Sequence, residues 1–183
     1  MIKRFENYLP VELRDAGIQF GENVFISKDV VFHNPENIKI GNNVRIDSQC
    51  ILIAGKDTKI IIGNNIHIST GCYFFGGGGN IIMEDYTGTA SRTVIYTASD
   101  DYTDGFMTNP TVDEKYKKIK KGNVILRKHT IVGSGSTILP GVTLEFATSV
   151  GAHSLVNKSS KPFDLLFGSP AKFIKKRKNI YLN

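Results

Sequence analysis

The chain has 183 residues, 40% apolar and 22% charged, with 18 glycines, 6 prolines and no tryptophan, which excludes a disordered chain and fits a single globular domain. Its longest apolar run, Cys50 to Ala54, is far short of the ~18 residues of a membrane span, and the first residues carry no apolar signal core, so a cytoplasmic protein is expected. The formal charge of +6 is uneven: residues 1–111 carry 9 basic and 13 acidic side chains, residues 112–183 carry 14 and 4, and a basic half of this kind suits a partner bearing phosphate.

Residues 1–17 place Ile2, Phe5, Leu9 and Leu13 at helix-like spacing interrupted by Pro10. We read one or two short helices there, covering the open end of a repetitive region. From residue 18 to 97 the chain repeats itself. Phe20-Gly-Glu-Asn-Val-Phe-Ile26, Ile40-Gly-Asn-Asn-Val-Arg-Ile46 and Ile62-Gly-Asn-Asn-Ile-His-Ile68 start 20 and 22 residues apart. Within each unit an apolar residue returns every six positions: Phe20, Ile26, Phe32; Ile40, Ile46, Leu52; Ile62, Ile68, Phe74. Four residues after these comes a second column of small or β-branched residues, including Val24, Val44 and Ile66. A six-residue period matches no amphipathic helix. Three hexads per unit mean three short strands and three corners, after which a new layer begins, with Gly, Asn, Asp and Pro supplying the corners. The run Gly76 to Gly79 reads as one such corner.

Between residues 98 and 125 the hexads fail. A long irregular excursion is uncommon in a compact domain unless it serves a function or a subunit contact. The rule resumes over residues 126–160, at Leu126, Val132, Ile138, Leu144, Val150 and Val156, with Ser136, Val142, Thr148 and Ser154 in the second column. In the closing segment, residues 161–183, Ser169-Pro170 reads as N-cap and first residue of a short helix from Ala171 to about Lys178, whose last turn is Lys175-Lys-Arg-Lys178.

Each hexad opens with an aliphatic residue, then a small or acidic one, with a small or β-branched residue fifth. On this pattern the chain resembles the hexapeptide-repeat acyltransferases, whose fold is a left-handed parallel β-helix of triangular section. The resemblance implies an all-β chain with short terminal helices and one loop excursion, assembled as a homotrimer. Strands of successive layers would lie ~4.8 Å apart, so Cys50 and Cys72, in equivalent slots, become stacked neighbours. A disulfide is geometrically open to them; in a reducing cytoplasm two buried thiols are expected.

The ordered trio Val132-Gly-Ser-Gly-Ser-Thr-Ile-Leu-Pro-Gly, Val150-Gly-Ala-His-Ser-Leu-Val-Asn-Lys and Gly168-Ser-Pro-Ala-Lys-Phe-Ile-Lys resembles the coenzyme A portion of the sugar and xenobiotic acetyltransferases in this superfamily. It implies acetyl-CoA as co-substrate, with Ser134 and Ala152 offering backbone groups along the pantetheine arm and Asn157 and Lys158 beside it. Lys172 and Lys175 would meet the ribose and phosphate end. That accounts for the basic half without nucleic acid, for which no zinc finger, RNP aromatic pair or helix-turn-helix pattern speaks. Two cysteines and four scattered histidines form no HExxH or paired cluster, so no metal is expected.

In most of these enzymes a histidine after the fourth coil takes the acceptor's proton. Here that place reads Thr97-Ala98-Ser99-Asp100, with Asp101 next and no histidine. A sugar hydroxyl needs a well-tuned base, whereas an amine titrating near the α-amino value of about 8 is already partly nucleophilic at neutral pH. For an amine a carboxylate suffices: Asp100 or Asp101 would orient the ammonium and relay its proton. The reading is therefore an acetyl-CoA-dependent N-acetyltransferase acting on a nucleotide-linked (dTDP or UDP) amino sugar for surface polysaccharide. Lys115 to Lys121 would meet the acceptor's diphosphate or form a solvated loop. The alternatives are an O-acetyltransferase using His153 or His129 as a displaced base, and a non-catalytic scaffold.

Overall fold

A computed structural model describes residues 6–178. The backbone winds through six complete coils and begins a seventh, each coil giving one short strand to each of three parallel sheets. The first sheet contains Gln19–Phe20, Ile38–Ile40, Ile60–Ile62, Ile81–Met83, Val124–Leu126 and Thr143–Leu144. The second contains Val24–Ile26, Val44–Ile46, Ile66–Ile68, Gly88–Thr89, Ile131–Val132, Ser149–Val150 and Asp164–Phe167. The third contains Val31–His33, Ile51–Ala54, Tyr73–Gly76, Val94–Tyr96, Thr137–Ile138 and Leu155–Val156. The architecture is a parallel β-helix of three sheets, as the hexads imply.

Register explains why the hexad is readable. Ile40 pairs with Ile62, Ile62 with Met83, Met83 with Leu126 and Leu126 with Leu144, so each inward slot sits on its counterpart one coil below. Ile26, Ile46, Ile68, Leu52, Phe74, Ile138 and Leu144 are buried in the resulting core, while Phe20 and Phe32 at the first coil are only partly covered. The second column is buried as well, from Val44 and Ile66 to Ser136, Thr148 and Ser154. Cys50 and Cys72 are free, buried thiols on adjacent coils. Cys50 donates to the Ser69 carbonyl at 3.2 Å and Cys72 lies 3.3 Å from that of Ala90. The neighbouring Cys72 thiol and burial hold Cys50 well above the usual thiol range.

Each corner between the first and second sheets turns through one left-handed residue, and these too are stacked: Asn23, Asn43, Asn65, Tyr86, His129, Ala147 and Phe163 all have φ between 54° and 64°. Asparagine tolerates this region better than most residues. Beside it Asn42 Oδ1 accepts the Glu22 N–H (2.7 Å), Asn64 Oδ1 that of Asn42 (2.8 Å) and Asp85 Oδ1 that of Asn64 (2.9 Å). Gly41 is required there because a Cβ would stand 2.6 Å from the Gly63 carbonyl oxygen. The Gly76 to Gly79 run forms a corner, in which Gly78 N–H donates to Thr97 Oγ1 at 3.0 Å.

Two terminal expectations change. At the N-terminal end the described residues form one helix, Pro10–Asp15, in which Pro10 is the first residue rather than an interruption. A proline at that position loses no hydrogen bond. Leu13 is buried against the first coil while Leu9 is exposed; Ile2 and Phe5 lie outside the described residues. At the other end the expected helix over residues 171–178 is a strand, Lys172–Lys176, antiparallel to Asp164–Phe167. Gly168 to Ala171 reverse the chain, and the strand satisfies backbone groups that the seventh coil leaves open. No helix among the described residues is long and apolar enough to cross a membrane.

Candidate functional site

The excursion leaves the solenoid after Val94–Tyr96 and returns at Val124–Leu126. Its base is a ribbon in which Ala98–Asp100 pairs antiparallel with Ile119–Lys121. Asp101 follows the ribbon, its N–H donating to the Lys118 carbonyl at 2.7 Å, and its side chain is fully buried. The Thr103 N–H (3.1 Å) and hydroxyl (2.6 Å) both donate to Asp101 Oδ1. The Lys120 ammonium lies 3.4 Å from Oδ1 and that of Lys118 3.5 Å from Oδ2. Oδ2 itself has no hydrogen-bond partner among the described residues. The Thr103 hydroxyl, its N–H and Lys120 together overcome burial and hold this carboxyl far below the usual carboxylate range.

Asp100 is used differently. Its Oδ2 accepts the Asn109 N–H at 3.0 Å, tying the tip of the excursion to its base. The lysines around it are largely engaged: Lys115 with Asp113, Lys117 with Glu114, and Lys118 and Lys120 with Asp101.

A second group gathers on the corner between the second and third sheets. Gly71 N–H donates to the Ser48 carbonyl, Arg92 N–H to Thr70, Gly135 N–H to Ser91 and His153 N–H to Ser134, at 2.8 to 3.0 Å. Ser48, Thr70, Ser91, Ser134 and Ala152 thus form one column, a residue per coil. Ser134 and Ala152, expected along the cofactor, belong to it. Ser91 was missed from sequence, though it occupies the same hexad slot; its hydroxyl is 2.9 Å from that of Ser69. His153 is exposed beside this column, its ring lying over Gly135, where a Cβ would approach Cε1 to 2.7 Å.

Asn157 and Lys158 do not join that column. They follow Leu155–Val156 and so stand on the next corner, the one from which the excursion springs at an earlier coil. Lys158 and Lys172 meet instead at a cavity of about 580 Å³ at the last coil, walled by Leu166 and Phe173. Lys175 pairs with Leu165 on the last strand and is exposed. His129 is stacked on Tyr86 (ring centroids 5.0 Å, 9°) with Phe146 edge-on at 5.4 Å, in an aromatic ladder on the remaining corner.

No protein-family model matches the chain. It is 39% identical over 168 residues to the dTDP-4-amino-4,6-dideoxy-D-glucose acyltransferase of Escherichia coli, a match covering 91% of this chain and 86% of that protein. Among solved structures it is similar to AntD, an N-acyltransferase of Bacillus cereus, in complex with dTDP-4-amino-4,6-dideoxyglucose and coenzyme A. The TM-score is 0.89 and the identity 40%, covering 94% of this chain and 91% of that one. AntD structures include variants of a serine and of an aspartate ten positions further on. A maltose O-acetyltransferase of Clostridium difficile shares the fold, at TM-score 0.57 and 22% identity over 91% of this chain and 73% of that one.

The Asp101 environment makes a pH-dependent prediction. Its native pKa lies below the unfolded value of about 3.9, so its stabilising effect is complete above that pH and is lost as pH falls through the native value. Thr103→Val removes the hydroxyl donor. The carboxyl pKa of Asp101, followed by carbon NMR, should move up, and the variant's loss of stability in urea should be larger at pH 7 than at pH 2. An unchanged titration would show that Thr103 does not hold the charge.

Proposed function

The chain belongs to the left-handed β-helix acyltransferases, in the branch that includes the E. coli dTDP-amino sugar enzyme, and we propose that it transfers an acyl group from an acyl-CoA to the amine of a nucleotide-linked amino sugar. The finer reading is that the acyl group is acetyl, the nucleotide dTDP, and the product a cytoplasmic precursor of surface polysaccharide. The observation that carries the chemistry is Asp101: a buried carboxylate kept ionised, with one oxygen short of a hydrogen bond and a lysine ammonium 3.5 Å from it. The substrate's ammonium would replace that of Lys118, one primary cation for another.

Asp101 is then too weak a base to keep the proton of an amine titrating near 8. It orients the ammonium and relays its first proton to solvent water, which leaves the nitrogen a lone pair. That lone pair attacks the thioester carbon, the carbon–sulfur bond breaks, and the departing thiolate takes the second proton that the nitrogen loses. Ser91 supports the same reading: with Asp101 it has the residue types and the ten-residue separation of the AntD variants, near the middle of a match that runs almost end to end. Its hydroxyl would meet the thioester, with Ser134 and Ala152 along the pantetheine and Lys172 and Lys175 at the phosphate end.

Asp101 and the Ser91 column stand on different corners of one chain, separated by the third sheet. A centre containing both needs two copies, which favours a closed cyclic trimer. The outward side of the third sheet supports this, since Ile51, Ile53, Tyr73, Phe75, Val94 and Tyr96 make it apolar where the second sheet shows Arg45 and His67. Sedimentation equilibrium should give three times the 20.2 kDa chain mass; a monomer at micromolar concentration would exclude the shared site.

Asp101→Asn keeps the shape but cannot carry a proton, so kcat should fall within the ~10²–10⁴ that general-base catalysis supplies. The residual rate should climb with pH towards the amine's own pKa. His153→Ala and His129→Ala should change little. Loss of activity in a histidine variant with Asp101→Asn near wild type would favour the hydroxyl acceptor.

Lys172→Ala combined with Lys175→Ala should raise KM for acyl-CoA over that for the acceptor by about 1–3 kcal/mol. Dephospho-CoA should show a smaller penalty in that variant. Equal losses for both substrates would indicate an assembly defect instead.

A further inference from the structure

We propose that the outer surface of the first three coils, from Phe25 through Arg45 to His67, binds the nucleoside diphosphate half of the acceptor. This rests on the acceptor being a nucleotide-linked sugar, the reading proposed for the chain's function. Phe25 pairs with Arg45 and Arg45 with His67 on the outward side of the second sheet, so an aromatic ring and two nitrogen bases follow one another at single-layer spacing. Asp47, at the corner beyond, fixes both bases: Arg45 Nε stands 2.7 Å from its Oδ1 and His67 Nε2 2.8 Å from its Oδ2. Burial works against the charge on Asp47, but His67 and Arg45 outweigh it and hold the carboxyl below its usual range.

Arg45 is thereby oriented through Nε alone. Its two Nη groups have no protein partner among the described residues, and its side chain is 68% exposed. A guanidinium held by one edge with the other edge open is suited to phosphate oxygens. Beside it lies a cavity of about 380 Å³ lined by Phe25, Asn7, Ser27 and Arg45. Phe25, 51% exposed, offers a face for a base to stack on, and the Asn7 side chain offers both a donor and an acceptor for a base edge.

The cavity also reaches the site by position. Ser48 and Thr70 line it, and both belong to the corner column that continues to Ser91, Ser134 and Ala152. Above His67 the same face continues to Gly88, which is buried beside the Ile131 side chain. From the coil of Phe25 to that of Ser91 is three layers, about 14 Å at ~4.8 Å each, the reach of an extended nucleoside diphosphate from its base to the attached hexose. The base would lie at Phe25, the phosphates at Arg45 and His67, and the amine at Ser91, with the acyl-CoA continuing the same line towards the last coil. The lysines of the excursion, the other cationic candidate, are mostly occupied by their own carboxylates.

The test uses the intact protein and dTDP as probe, in calorimetry, with steady-state kinetics alongside. Arg45→Gln should weaken dTDP and raise the acceptor KM by about tenfold each, the loss of a charge-assisted contact, with KM for acyl-CoA within about twofold of wild type. Phe25→Ala should weaken dTDP but not inorganic pyrophosphate, which has no base to stack. Wild-type dTDP affinity and acceptor KM in both variants would overturn the proposal, as would a wild-type protein that does not bind dTDP. A wild-type protein that binds dTDP through Arg45 yet acylates no amino sugar would uphold this subsite and refute the transfer reading.

Discussion

Successive turns of this backbone must lie one strand spacing apart, about 4.8 Å, and almost every other feature depends on that. At such a distance only like residues stack without gaps, so inward positions become columns of aliphatic side chains. Corners must turn identically in every layer, so left-handed residues stack as well, and glycine appears where a Cβ would strike the carbonyl of the next layer. The asparagine side chains complete the arrangement by accepting N–H groups that the corners would otherwise leave unmet.

That regularity makes the solenoid a poor source of catalytic variety, because a residue departing from its column disturbs two neighbours. The groups proposed to carry the chemistry lie where the spacing does not apply. The excursion between the fourth and fifth coils carries Asp101 on a two-stranded ribbon, free of the hexad, and surrounds it with groups that no column could supply. Outward corner positions such as Ser91 and Ser134 are the other freedom the fold permits, since they contact solvent or ligand without altering the stack beneath.

The same division decides what could be read in the sequence. Ile40, Ile62, Leu126 and Leu144 were legible as one column because period and burial coincide. The corner set was legible in part: Ser134 and Ala152 came from their resemblance to a cofactor motif, while Ser91 lacked that context and looked like any small corner residue. Thr103, Lys118 and Lys120 could not be assigned to Asp101, because residues within an aperiodic loop give no spacing to argue from. The final segment was misread for a different reason. Ser169-Pro170 before a basic run has the local signature of a helix start, but the demand of the seventh coil's unpaired edge outweighed local preference, as tertiary context commonly does.

That last strand has a consequence for the molecule in solution. A stack of parallel strands with a bare terminal layer is a template on which further identical layers can grow, the geometry of a fibril. Here the Lys172–Lys176 strand runs against the grain of the seven below it in the second sheet. Its outer edge presents a reversed hydrogen-bonding pattern, and three of its five residues are lysines. A further parallel layer stacking on that edge would meet mismatched hydrogen-bond partners, so the chain can be a solenoid without becoming a filament.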